Sequence, residues 1–155
     1  MANYTVDGNA YVAPHFRLVE FVNTQAEQKV KFKAGPKFPV LLEALEYLRE
    51  RLEPLKSTPE IDITSGYRTP EYNASIGGNP NSEHLDCYAV DVKLGERGIP
   101  AQYQSAAELI WRDAADLFGF IGDFGYYDTH THLGVDAGRF GATEFLVYDE
   151  RGTTK

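Results

Sequence analysis

A chain of 155 residues is long enough for one domain with its own core, and an apolar fraction of 43% is that of an ordinary globular protein. Acidic residues outnumber basic ones 23 to 15, for a net charge of −8. That balance argues against nucleic acid and anionic membranes as partners, because phosphate binding needs clustered Lys and Arg.

Residues 1–14 are polar and mixed and read as an N-terminal arm ahead of a single domain over residues 15–155. They lack the basic and apolar regions of a secretory signal, and no run in the chain approaches the roughly 18 apolar residues of a spanning helix. The expectation is a monomer made in the cytoplasm without a signal peptide and without membrane insertion. His15 to Phe21 fits either a short helix or the start of a strand. Pro39 to Leu52 reads as the first clear helix. Val40, Leu41, Ala44, Leu45, Leu48 and Leu52 recur at three and four residues, with Pro39 in the first turn and Pro54 past the end. Glu60 to Thr64 alternates as a strand does. Pro70 opens a short helix through Asn73. Gly77 to Ser82 is a turn-rich loop, and Tyr88 to Leu94 alternates again.

Gln102 to Phe118 reads as the second long helix, with Ala106, Leu109, Ile110, Ala114, Leu117 and Phe118 at helical spacing and Gly119 as its stop. Short strands follow near Phe124–Tyr127, Thr131–Val135 and Glu144–Tyr148. Helices and strands do not alternate regularly, so the fold class is α+β, with a small, mainly antiparallel sheet packed against helices.

The residues that carry chemistry are few. Side chains alternate faces along a strand, so Asp128, His130 and His132 share one face if the strand is regular as far back as Asp128, and Leu133 and Val135 take the other. His84 and Asp91 are seven residues apart and would oppose each other on one strand. They converge if the chain bends, with His84 on the loop and Asp91 on the strand. Between Val90 and Val92, an unpaired Asp91 carboxylate would be costly. A cation relieves that cost, and so does a salt bridge or a turn-capping role. Two imidazoles and a carboxylate are the ligand types of a catalytic zinc, which takes three protein ligands and leaves a fourth position to water. Arg68 follows a strand and a glycine, where a guanidinium can fork onto a substrate carboxylate or simply lie in solvent. Cys87, the only cysteine, excludes an intrachain disulfide. It reads as a small buried packing residue or, near two histidines, as a nucleophile.

Four blocks in order then carry a resemblance: Ser65-Gly66-Tyr67-Arg68-Thr69-Pro70-Glu71-Tyr72-Asn73, Gly77-Gly78, Ser82-x-His84-x6-Asp91 and His130-x-His132. Together they resemble the zinc D-Ala-D-Ala carboxypeptidase and endolysin family, whose relatives include the vancomycin-resistance D,D-dipeptidases, phage L-alanyl-D-glutamate endopeptidases and the hedgehog signalling domain. The resemblance runs from about Phe16 to Tyr148. It implies the same α+β fold and one zinc per chain, held by His84, Asp91 and His132. It implies that Arg68 binds the substrate carboxylate and that Ser82 helps shape the site. His130 would assist catalysis, and Asp128, the nearest carboxylate before the last ligand, would be the general base unless His130 serves. The family has glycine where Cys87 stands, so a positive φ there would strain the cysteine.

What the resemblance implies is a zinc metallopeptidase acting on peptidoglycan stem peptides or other D-Ala-terminated peptides, as carboxypeptidase or endopeptidase. With no signal peptide, the place of action would be the bacterial cell wall, reached by release or by a phage lysis route. The alternative is a non-catalytic zinc-containing binding module on the same fold, which would be free to lose Arg68 and the general base.

Overall fold

The structure, a computed structural model, describes residues 2–3, 10–22 and 32–152. Much of the expected N-terminal arm, residues 1 and 4–9, lies outside the described residues. The segments of period two meet in one five-stranded sheet. Its strands are β5 (Ile63–Ser65), β6 (Ala89–Lys93), β7 (Asp123–Tyr126), β8 (His130–Gly134) and β9 (Leu146–Asp149), in the order β5-β6-β8-β7-β9. The first three pairings across the sheet are antiparallel and the β7–β9 pairing is parallel. Two antiparallel pairs lie outside it: β1 (Ala2–Asn3) with β4 (Lys33–Ala34), and β2 (Tyr11–Ala13) with β3 (Phe16–Arg17). A 3₁₀ turn over Leu18–Phe21 follows β3, so the ambiguous segment holds a strand start and a helical turn in succession.

Helix α1 (Phe38–Leu52) has Pro39 in its first turn and buries Leu41, Leu42, Ala44, Leu45, Leu48 and Leu52. Helix α2 (Pro70–Ser75) is short; the Thr69 hydroxyl accepts from the Tyr72 N–H at 3.0 Å and caps it. Helix α3 (Gln104–Phe118) follows a 3₁₀ turn over Ala101–Tyr103 and ends at Gly119, which takes a left-handed φ of 74°. Its buried stripe is Ala107, Trp111, Ala114 and Ala115, not the larger stripe expected from the sequence. Leu109 and Leu117 are 66% and 63% exposed. Small alanines let α3 approach its neighbours closely, and Trp111 fills the space, its indole N–H donating to the Gly134 carbonyl at 3.0 Å.

Alternation gives the sheet two unlike faces. Val90, Val92, Phe124 and Leu133 point into the hydrophobic core shared with the helices. On the other face, register places Asp91 opposite His132, His132 opposite Gly125, and Gly125 opposite Tyr148. One row across four strands therefore carries a carboxylate, an imidazole, a gap and a phenol. A neighbouring row runs Ala89, Gly134, Asp123 and Leu146.

Candidate metal centre

His84 reaches the sheet from a 3₁₀ turn over Glu83–Asp86. Ser82 caps this turn, its hydroxyl accepting from the His84 N–H at 3.1 Å. Arg139 clamps the same loop from outside. It donates to the Ser82 carbonyl at 2.9 Å, to Asp86 at 2.9 Å and to Asp136 at 2.8 Å. The turn closes on Cys87, which is fully buried with φ 57° and ψ 44°. This is the left-handed position where glycine fits best, so the cysteine is held against its backbone preference. Burial pushes its thiol up, and it belongs to neither group of metal-ligating side chains found among the described residues. Cys87 is a packing residue.

The expected ligands meet. His84, Asp91 and His132 bring one donor atom each to within 4.8 Å of one another. His84 Nδ1 faces the Gly66 carbonyl at 2.6 Å. A carbonyl only accepts, so Nδ1 carries a proton, which leaves Nε2, 3.5 Å from Asp91, as the ring atom that can ligate a metal. His132 Nδ1 approaches the same Asp91 oxygen at 3.2 Å. Burial raises the Asp91 carboxyl, but His84 and His132 outweigh it and hold the group well below the usual range. Two imidazole nitrogens and a carboxylate oxygen, with the His84 tautomer fixed from behind, suit a borderline cation such as zinc.

A second group shares His132. Its Nε2 lies 2.9 Å from Asp123 Oδ2 and 3.2 Å from Glu83 Oε1, and both carboxylates are 1% exposed. Burial lifts the Glu83 carboxyl to about 7. Burial also raises Asp123, but His132 outweighs it and the net direction is down. For His132, burial works against the imidazolium, and Asp123 leads the carboxylates that reverse this and drive it well above the usual value. Glu83 and Asp123 were not read from the sequence. The signal was faint: a carboxylate beside a ligand histidine, and another between a glycine and a phenylalanine, each look like surface residues.

The remaining site residues divide. Arg68 enters the cleft, its Nη1 donating to Asn73 at 3.2 Å and its Nη2 lying 3.5 Å from Asp91. Asn73 is held in turn by donating to the Asn79 carbonyl at 2.8 Å, so α2 aims the guanidinium. His130 lines the cleft as well. Its ring stacks on Tyr127 at 4.3 Å, and its Nε2 lies 3.9 Å from Asp91; burial lowers its pKa. Asp128 does not share the face of His130 and His132. The strand starts only at His130, and Asp128 is exposed on the turn before it, accepting from the Gly152 N–H at 2.8 Å. Alternation reaches as far as the strand does and stops at the turn.

The cleft over His84, Asp91 and His132 has a volume of about 530 Å³. Arg68 lies among its lining with Asn79 and Ser82; Tyr127, His130, Phe140, Leu146 and Tyr148 supply aromatic and apolar lining. Tyr148 leans across Gly125, where an added Cβ would come 2.6 Å from its ring, and its centroid reaches 6.0 Å from that of His132. A larger groove of about 750 Å³ runs between residues 12–15 and α1, but neither metal-ligating group lies there.

A family model described as Peptidase M15 matches residues 14–134, which contain every ligand named above. No curated protein sequence matches the chain.

Proposed function

The chain belongs to the peptidase M15 family and is a peptidase, and from that premise we propose that it is a zinc metallopeptidase acting on peptidoglycan stem peptides. The observation that carries the proposal is the convergence of His84 Nε2, Asp91 and His132 Nδ1 at the floor of a cleft that Arg68 also lines.

In this reading His84, Asp91 and His132 hold one zinc. When bound, zinc supplies Lewis-acid polarisation of the scissile carbonyl and acidifies the attacking water. Arg68 forks onto a carboxylate of the peptide and so fixes the scissile bond over the ligands. That carboxylate is a terminal D-Ala in a carboxypeptidase and an internal carboxyl of the wall peptide in an endopeptidase. His130, stacked on Tyr127 and facing the cleft, takes the proton of the attacking water and returns one to the leaving amine. Asp128, exposed on the turn before β8, is not among the residues that line the cleft. Ser82 acts through His84, whose turn it caps. Among the described residues no helix is long and apolar enough to cross a membrane. The proposed place of action is the bacterial cell wall.

The second reading, a zinc-containing binding module, is favoured by one observation, the position of Asp128 away from the cleft. Zinc content and hydrolysis of purified peptidoglycan, measured for the native protein and for His132→Ala, separate the two. Stoichiometric zinc with cleavage that His132→Ala abolishes supports the peptidase. Zinc without cleavage of any stem peptide supports the module, and a native protein that takes up no zinc overturns both. The masses of the products identify the bond.

A further inference from the structure

The three metal ligands leave the far side of His132 unaccounted for. An imidazole can bind metal through either nitrogen, and the choice is set by what the other nitrogen touches. Here Nδ1 faces Asp91, while Nε2 faces Asp123 at 2.9 Å and Glu83 at 3.2 Å. Two carboxylates in so dry a place are expensive unless something holds them.

The chain anchors one of them and makes room for both. Glu83 Oε2 accepts the Asp136 N–H at 2.8 Å. Asp123 stands directly opposite Gly134, two residues past His132 and therefore on the same face. Gly134 has no Cβ, and one added there would lie 2.5 Å from both Glu83 oxygens and closer still to Asp123 Oδ1. The missing side chain makes the space in which both acids reach one imidazole. Glu83 also precedes His84 on the same capped turn, so one loop touches both histidine ligands, His84 as part of itself and His132 through Glu83.

We propose that Glu83 and Asp123 are positioning residues, a carboxylate clamp on the Nε2–H of His132 that presents Nδ1 to the metal. The proposal rests on the zinc reading above. Outer carboxylates of this kind are typically worth about 10- to 100-fold in metal affinity. Asp123 makes the shorter contact and carries most of the effect. Asparagine in its place can turn its amide N–H toward Nε2, which favours the tautomer with the proton on Nδ1 and sets that nitrogen against the metal.

The test is zinc affinity by chelator competition, together with the ring ¹⁵N shifts of His132 in zinc-loaded protein. The native protein is expected to show a protonated Nε2 and one zinc. Asp123→Asn should weaken zinc by about 10- to 100-fold and change the ring-nitrogen pattern, with Glu83→Gln doing the same to a smaller extent. Gly134→Ala keeps every acid and should weaken zinc to a similar degree by displacing both. Near-isosteric Glu83→Gln serves if Asp123→Asn does not fold. A merely structural role would lower the unfolding temperature and leave the affinity and ring signature of the folded protein unmoved. Tight native zinc with unmoved variants overturns the clamp and spares the peptidase reading. Two zinc ions per chain would also overturn it, since Glu83, Asp123 and His132 would then be a second metal site. A native protein without zinc overturns the peptidase reading itself.

Discussion

Strands β6, β7 and β8 bury both of their faces, and to nearly the same degree. On the core face Val90, Val92, Phe124 and Leu133 are 0% exposed; on the other, Asp123, Asp91 and His132 are 1%, 7% and 9% exposed. What separates the faces is how fully their polar groups are answered. Toward the core, Trp111 donates to the Gly134 carbonyl and Gln104 to the Thr131 hydroxyl, each at 3.0 Å. Toward the cleft lie the two buried side-chain atoms without a hydrogen-bond partner among the described residues, Arg68 Nε and Asp123 Oδ1. Buried polar groups are nearly always satisfied, and both of these exceptions fall on the cleft face. Burial alone would not have told a site from a core.

That contrast can be broken from either side. His132→Ala acts on the cleft face and has the largest effect: hydrolysis falls to background and bound zinc is lost, while circular dichroism shows the fold retained. Its neighbour Leu133→Ala acts on the core face. Urea unfolding should show a loss of about 2–5 kcal/mol, with one zinc still bound per folded molecule. Arg68→Ala sharpens the cleft side alone. With zinc content unchanged, kcat/KM on carboxylate-bearing peptides should fall by about 100-fold, and a substrate lacking that carboxylate should lose far less. The smallest effect belongs to Cys87→Gly. Relief of the left-handed strain offsets the lost burial of the side chain, so stability measured by urea should move by less than about 1 kcal/mol.

Much of this architecture was legible in the sequence, for reasons particular residues make plain. Helix α1 shows a clean apolar stripe with Pro39 and Pro54 at its limits, and its bounds follow directly. Helix α3 has apolar residues on more than one side, so periodicity alone turned it toward Leu109 and Leu117, while Trp111 and three alanines decide its actual face. The convergence of His84, Asp91 and His132 was legible because the turn-rich loop before His84 supplies the bend their spacing requires. Asp128 shares the face of His130 and His132 only if the strand is regular that far back, and the strand starts at His130. Glu83, Asp123 and Tyr148 were not legible as site residues, since what gathers them is register: Asp123 opposite Gly134, and Tyr148 opposite Gly125. The parallel pairing that brings β9 to β7 leaves no local mark on the sequence, because it is made across a connection and not through a hairpin.

Strand β9 lies beyond the residues matched by the family and, among the described residues, has a neighbouring strand on one side only. Its amides therefore belong to a cooperative unit of lower opening free energy than those of β6 and β8. Hydrogen exchange should release β9 first, while the row holding Asp91 and His132 stays protected. Exchange of that kind would leave the cleft stiffer along the row of Asp91 and His132 than along the wall that carries Tyr148.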